Sequence, residues 1–147
     1  SRREKRVDGI KCFYGDDQLD SSLVDADIVV LLLPDTPLTQ NILNQHTLNL
    51  LKRGAFVLNP GRGPLIDDDA LLAALDSGQI EHATLDVFRI EPLPKNHQYW
   101  SNNKVTVIPH KASETRPKTA SQVIAMNIGR AENGQELLYL VDRENGY

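Results

Sequence analysis

Four side chains that could do chemistry together each lie at or just beyond the end of an apolar run: Arg62, Asp86, Glu91 and His110. A guanidinium holds a carboxylate through two parallel hydrogen bonds. An imidazole titrates near neutral pH and transfers protons, and a carboxylate bonded to it orients the ring. This set would suit reduction of a 2-keto acid, with the arginine on the substrate carboxylate and the histidine protonating the carbonyl oxygen.

Each of these residues also has a purely structural interpretation. Arg62 could be a surface residue in a polar turn, and Asp86 could cap a turn. Glu91 could be an ordinary loop residue before a proline, and His110 could cap a loop. The combination is more specific than any of its members, provided that the fold brings them together.

The apolar runs predict buried strands of a parallel sheet, because such strands read as continuous hydrophobic segments. They alternate with helical segments, which is typical of βαβ units with right-handed crossovers. We predict strands at Ile10–Tyr14, Ile28–Leu33, Ala55–Leu58, within Ile80–Phe88 and at Val105–Ile108, and helices at Gln18–Val24, Thr47–Lys52, Asp67–Ser77 and Pro117–Asn133. The carboxyl ends of parallel strands share one rim, where open α/β sheets bind ligands. We therefore expect the four side chains to meet in one crevice.

A glycine stands on each side of Arg62, at positions 61 and 63. Because glycine has no Cβ, we expect Gly61 and Gly63 to let the backbone approach a ligand closely.

Composition indicates one globular domain and argues against several other classes. The chain has 147 residues, of which 40% are hydrophobic and 24% charged. Its net charge of -4 gives no electrostatic reason to bind nucleic acid or an anionic membrane. The longest apolar run, Ile28–Leu33, is too short to span a bilayer. The single cysteine, Cys12, suits a reducing compartment, so we expect a cytoplasmic protein, and we predict no metal site.

Residues 28–113 resemble the D-isomer-specific 2-hydroxyacid dehydrogenases. The matching motifs are Leu31-Leu32-Leu33-Pro34, Asn59-Pro60-Gly61-Arg62-Gly63, Leu85-Asp86-Val87-Phe88 with Glu91-Pro92-Leu93-Pro94, and Pro109-His110. Thr115-Arg116-Pro117 and the ending from Val141 to Tyr147 resemble the glyoxylate/hydroxypyruvate reductase branch. The resemblance implies an α/β fold, namely part of a doubly wound, Rossmann-like parallel sheet without its first strands.

The resemblance also implies roles for single residues. Arg62 resembles the family's substrate-carboxylate arginine, His110 its acid/base and Glu91 the carboxylate paired with that histidine. Asp86 resembles the residue that bonds the nicotinamide carboxamide. The other residues expected at the cofactor, besides Arg62 and His110 themselves, are Pro34, Pro60, Gly61, Ala112 and Ser113. Gly61 departs from the family, which usually has alanine or serine there.

Arg2 and Arg3 would follow the family's second strand, where a loop meets the adenosine ribose. Arginines there suit a 2′-phosphate, so NADP is the preferred cofactor and NAD the alternative. A flexible basic chain end is the other interpretation.

The sequence contains no G-x-G-x-x-G motif, which in the family precedes the point where these residues start. We therefore expect a piece of a longer protein, in which residues 1–134 belong to the dinucleotide-binding domain. Residues 135–147 would be a tail that returns toward a substrate domain. The isolated piece is expected to be inactive, and the full-length protein a homodimer.

The resemblance implies NAD(P)H-dependent reduction of a small 2-keto acid, glyoxylate or hydroxypyruvate. Two alternatives stay open: a phosphoglycerate dehydrogenase-like enzyme, and a non-catalytic dinucleotide-sensing or protein-binding module on the same fold. The joint presence of Arg62, Glu91 and His110 favours an enzyme, because a binding module needs no acid/base pair.

Overall fold

A single parallel sheet organises the part of the chain that the structure, a computed structural model, describes: residues 4–113 and 115–143. Within these residues the strand order is β1-β2-β3-β4. The strands are β1 (Ile28–Val30), β2 (Ala55–Asn59), β3 (Ile80–Leu85) and β4 (Val105–Val107). The α-helices are α1 (Leu19–Leu23), α2 (Gln45–Leu50), α3 (Asp68–Asp76) and α4 (Pro117–Glu132). The predicted α/β fold with a parallel sheet is confirmed.

Side-chain caps fix where the helices between the strands begin. The Asn44 side chain accepts hydrogen bonds from the His46 and Thr47 amides, and the Thr47 hydroxyl accepts one from the Asn44 amide. This capping box starts α2 two residues before the predicted Thr47. Asp67 caps α3 through a 3.0 Å bond from the Ala70 amide, as the acidic run predicted. A short 3-10 helix at Gly63–Leu65 links the turn around Arg62 to the cap of α3.

The core lies on one face of the sheet. Alternate residues of β2 are buried, while Phe56 between them is 43% exposed. The buried face packs with leucines and isoleucines of the helices and loops, among them Leu43, Leu48, Leu65, Ile66, Leu71 and Leu75. This packing fixes the positions of the strand ends relative to one another, as a site built from several strand ends requires.

Several predicted elements differ in the structure. Ile10–Tyr14 is not a strand: Ile10 pairs only with Val7, across a tight turn. The residues have the right propensity, but a strand also needs a hydrogen-bonding neighbour, and the described residues supply none there. The predicted strand Ile28–Leu33 ends at Val30, because its partner β2 ends at Asn59 and the chain then turns. β2 extends one residue beyond the predicted Leu58, β4 ends one residue before the predicted Ile108, and β3 lies within Ile80–Phe88 as predicted.

The chain divides into two compact units, Ser1–His110 and Lys111–Tyr147. The predicted division between residues 134 and 135 concerns domains of a longer protein and stays a prediction. Arg2 and Arg3 lie outside the described residues. Among the described helices, none has the length and apolar character to cross a membrane.

Candidate active site

Backbone hydrogen bonds continue across the carboxyl ends of β2, β3 and β4 beyond the strands themselves. The Asp86 amide donates to the Asn59 carbonyl at 3.0 Å. The His110 amide donates to the Asp86 carbonyl at 2.8 Å. The segments that carry Arg62, Asp86 and His110 are therefore tied side by side, as the strand order predicted.

Asn59 builds the turn that presents Arg62, and sequence reasoning missed this role. Its side chain is buried, donates to the Arg62 carbonyl at 2.9 Å and accepts from the Gly61 amide at 3.1 Å. The signal was an amide residue at the end of a buried apolar run, where burial without hydrogen bonds is costly. With its backbone fixed, Arg62 extends an exposed side chain from the rim.

The guanidinium of Arg62 is available to an anionic ligand. Its Nη1 donates to the Gly61 carbonyl at 2.7 Å. Within residues 4–113 and 115–143, no carboxylate forms an ion pair with it. The remaining N–H groups suit a carboxylate, which a guanidinium binds in a fork geometry.

The glycines beside Arg62 allow close contacts within the chain, and the expected close approach of a ligand to them stays a prediction. A Cβ on Gly63 would lie 1.9 Å from the Phe88 carbonyl carbon and 2.1 Å from its oxygen. A Cβ on Gly61 would lie 2.8 Å from the Leu31 carbonyl oxygen. The absent side chain of Gly63 therefore lets the loop after β3, which carries Glu91, pack directly against the Arg62 turn, and that of Gly61 lets the turn pack against the chain after β1.

Glu91 and His110 form a hydrogen-bonded pair at the rim. The Nδ1 atom of His110 lies 2.8 Å from Glu91 Oε2, and Glu91 Oε1 accepts from the Phe88 amide at 2.9 Å. Burial raises the pKa of Glu91, but the bonds from His110 and the Phe88 amide, with the charges of His110 and Arg62, outweigh it and lower that pKa. The carboxyl group is therefore ionised at neutral pH and lies in the field of the Arg62 guanidinium.

This pairing fixes the tautomer of the imidazole. An ionised carboxylate can only accept, so Nδ1 of His110 carries the proton that Glu91 binds. The other ring nitrogen, Nε2, has no hydrogen-bond partner among the described residues. The ring is about half exposed, so Nε2 is the atom that can exchange a proton with a ligand.

The backbone of His110 adopts a left-handed conformation with φ +52°. Such a φ is uncommon for a residue with a side chain, and histidine is among the residues that tolerate it best. The amide bonds to Asp86 and Ile108 hold this conformation, which turns the ring toward Glu91.

The other predicted cofactor residues lie in different surroundings. Asp86 is 3% exposed at the end of β3. Pro34 and Pro60, beyond the ends of β1 and β2, are half-buried, and Gly61 is buried. Ala112 and Ser113 are exposed and belong to the second unit. The roles of all these residues stay predictions.

Residues 2–112 match the profile of a protein family described as "D-isomer specific 2-hydroxyacid dehydrogenase, NAD binding domain". The chain belongs to this family of NAD(P)-dependent oxidoreductases, as the sequence motifs predicted.

Solved structures agree with this membership. A D-isomer specific 2-hydroxyacid dehydrogenase from Xanthobacter autotrophicus Py2, in complex with NADPH and MES, is 46% identical with a TM-score of 0.97. The match covers 100% of this chain and 61% of that structure's chain. An NADPH-dependent glyoxylate/hydroxypyruvate reductase from Sinorhizobium meliloti, in complex with NADP and sulfate, is 33% identical with a TM-score of 0.94. All of this chain matches 48% of that structure.

A phosphoglycerate dehydrogenase from Lactobacillus plantarum is 30% identical with a TM-score of 0.68. That match covers 88% of this chain and 43% of the dehydrogenase chain. The chain thus spans between 43% and 61% of the length of these relatives.

The donor set on the rim fits the reactive end of a nicotinamide cofactor. A half-exposed imidazole, a guanidinium whose one bond among the described residues is to the Gly61 carbonyl, and the buried Asp86 follow neighbouring strands of the same rim. The sequence has no glycine-rich phosphate loop, so these 147 residues offer no such cradle for the pyrophosphate.

Proposed function

We propose that this chain carries the acid/base and substrate-binding residues of an NADPH-dependent reductase of small 2-keto acids, with glyoxylate and hydroxypyruvate as substrates. The observation that supports this proposal most concerns the Glu91 carboxylate: it lies 2.8 Å from His110 Nδ1, and the charge of Arg62 lowers its pKa. Three groups with complementary tasks therefore act within one electrostatic neighbourhood.

Arg62 would bind the substrate. A 2-keto acid carries a carboxylate next to the carbonyl to be reduced, and the guanidinium fork binds that carboxylate through two hydrogen bonds. Binding at this point fixes both the position of the carbonyl carbon and the direction of its oxygen. Fixing the reacting atoms in this way is a major source of rate enhancement.

His110 would supply the proton. The substrate carbonyl accepts a hydride at carbon and a proton at oxygen, which gives the alcohol of the 2-hydroxy acid. The protonated imidazole donates from Nε2, and Glu91 stabilises the charged ring and holds its orientation through Nδ1. In the reverse direction the neutral ring takes the proton back from the hydroxyl group.

A bound nicotinamide cofactor supplies the hydride. Within this chain, we assign its reactive end to Asp86, Pro34, Pro60, Gly61, Ala112 and Ser113. Arg2 and Arg3 support NADP over NAD, because guanidinium groups bind a 2′-phosphate. Two similar solved structures contain NADPH or NADP, which favours the same choice.

The cellular setting follows from the same proposal. A single cysteine and a net charge of -4 support a cytoplasmic enzyme that acts on a small molecule rather than on nucleic acid or a membrane. We expect the full-length protein to be a homodimer.

The test is an absorbance assay of reduced nicotinamide oxidation by the protein at its natural full length. Glyoxylate and hydroxypyruvate, with NADPH and with NADH, are compared with phosphohydroxypyruvate, which a phosphoglycerate dehydrogenase-like enzyme would prefer. His110→Ala should lower kcat about 100-fold or more, as expected when general acid catalysis is lost.

His82→Ala is the matched control, because His82 bonds Thr106 within the sheet rather than a rim carboxylate. It should keep kcat within about twofold. Equal activity of the His110 variant and the wild type would refute the assigned proton donor. Cofactor binding without turnover of any keto acid would favour the sensing module.

A further inference from the structure

Arg89 lies two residues before Glu91 in the loop after β3, and its side chain contacts the two rim loops before it. Its Nη2 atom donates to Asn41 Oδ1 and to the Ile66 carbonyl, and it lies 3.4 Å from the Pro64 carbonyl. Asn41 belongs to the loop after β1, whereas Pro64 and Ile66 follow Arg62 in the loop after β2. One guanidinium nitrogen therefore connects the loops after β1, β2 and β3.

The loops after β1 and β2 are already paired with each other. The Asn41 amide donates to the Pro64 carbonyl at 2.8 Å, and the Leu43 amide donates to the Leu65 carbonyl at 3.0 Å. Arg89 is the side chain that adds the loop after β3 to this pair. That third loop carries Glu91 and, through it, orients the ring of His110.

A second set of contacts holds the guanidinium from the side of α3. Asp68, the first residue of α3, lies 3.8 Å from Arg89 Nε and accepts a 2.9 Å hydrogen bond from the Tyr99 hydroxyl. Burial and the Asp68 carboxylate raise the pKa of Tyr99, which keeps its hydroxyl protonated and donating. The arginine is therefore held between a carboxylate and the loop carbonyls.

We propose that Arg89 is a positioning residue that sets the separation between the substrate-binding guanidinium of Arg62 and the Glu91–His110 pair. The inference rests on the proposed function for its kinetic consequence, although the geometry it describes does not. The contacts of Arg89 are with loop residues and with Asp68, so it acts through the two loops that carry Arg62 and Glu91.

The positive charge of Arg89 and the number of its N–H donors both contribute to positioning the loops. The three oxygens around Nη2 are acceptors only, so a group with several N–H donors is required. A lysine ammonium has three donors and can replace part of the contact, whereas a methionine of similar length has none. Arg89→Lys and Arg89→Met therefore separate hydrogen bonding from packing of the side-chain stem.

The test compares these variants in the protein at its natural full length. Arg89→Met should lower kcat about 10- to 100-fold, since small misplacements of catalytic groups cost this much, with a smaller change in KM. Arg89→Lys should recover a substantial part of that loss. In a Glu91→Gln background, Arg89→Met should cost less than about threefold, because the loop no longer carries the carboxylate that it positions.

The matched control is Arg53→Met, which removes a 2.8 Å guanidinium bond to the Ser77 carbonyl at the end of α3. It should lower the melting temperature without changing kcat by more than about twofold. If Arg89→Met does not fold, Asn41→Gly takes its place: it removes one acceptor and keeps the φ of +52° that position 41 requires.

A readout without turnover separates this inference from the proposed function. The proton between His110 Nδ1 and Glu91 should give a downfield NMR signal in the wild type and in Arg53→Met, and lose intensity in Arg89→Met. An inactive wild type would refute the proposed function, and the NMR signal would still decide the role of Arg89. Wild-type kcat and an unchanged signal in Arg89→Met would overturn the inference.

Discussion

Alanine substitutions at three glycines give a graded test of how the rim loops pack. At Gly63 an added Cβ would lie 1.9 Å from the Phe88 carbonyl carbon, whereas two carbon atoms in contact are about 3.5 Å apart. The Arg62 turn and the loop after β3 must therefore separate by roughly 1.5 Å. The obstacle is backbone on both sides, so no side-chain rotation relieves it.

The cost of this separation should be seen in stability and in activity. Overpacking of a well-packed region costs about 1–3 kcal/mol, and Gly63→Ala should reach the upper end of that range. Because the displaced loop carries Glu91, kcat/KM should also fall by on the order of 100-fold. Gly61→Ala should be milder, since its contacts are 2.8 Å to the Leu31 carbonyl oxygen and 3.1 Å to the flexible Leu65 side chain.

Gly129 in α4 is the control, because a Cβ there would meet no atom within 4 Å. Gly129→Ala should raise stability by up to about 1 kcal/mol, as alanine favours the helix over glycine. Thermal unfolding and steady-state kinetics on the three variants give the comparison. A Gly63→Ala protein as stable and active as the wild type would refute the claim that this close approach sets the site.

Three further predictions concern single side chains. Arg62→Ala should raise KM for the keto acid more than tenfold and lower kcat less, because it removes the proposed substrate-binding cation, as steady-state kinetics will measure. The lowered pKa of Glu91 stabilises the fold above its ordinary value of 4.5, and this contribution is lost as pH falls through the lower folded-state value. Acid unfolding of Glu91→Gln should therefore lack part of the wild-type decline. The raised pKa of Tyr99 acts in the opposite direction: its contribution is present below about pH 10 and is lost at higher pH, so the wild type should lose stability relative to Tyr99→Phe in alkaline denaturation.

The sequence was most informative where apolar runs and caps act locally. The run at Ala55–Leu58 and the acidic cap at Asp67 predicted β2 and α3 to within one residue. Parallel strand order then predicted that their carboxyl ends share a rim. The strand predicted at Ile10–Tyr14 was wrong because strand formation depends on a pairing partner, which no local pattern reveals.

The chemical groups of the candidate site could be named from the sequence, whereas the contacts that support them could not. Arg62, Glu91 and His110 are recognisable by type and by their place after strands. The buried bonds of Asn59, the Gly63 contact with Phe88 and the reach of Arg89 all join residues from different loops. Such contacts depend on how two loops meet in space, and sequence spacing does not encode that.

At His110 the left-handed backbone conformation favours glycine, whereas the hydrogen bond to Glu91 requires an imidazole. A side chain at φ +52° costs of order 1 kcal/mol that glycine would not incur. His110→Gly should therefore melt at a higher temperature than His110→Ala while losing the proton donor all the same. Glycine at this position would relieve the backbone cost but would also lose the 2.8 Å bond to Glu91. The imidazole is therefore held at a position whose backbone conformation favours a residue that could not make this bond.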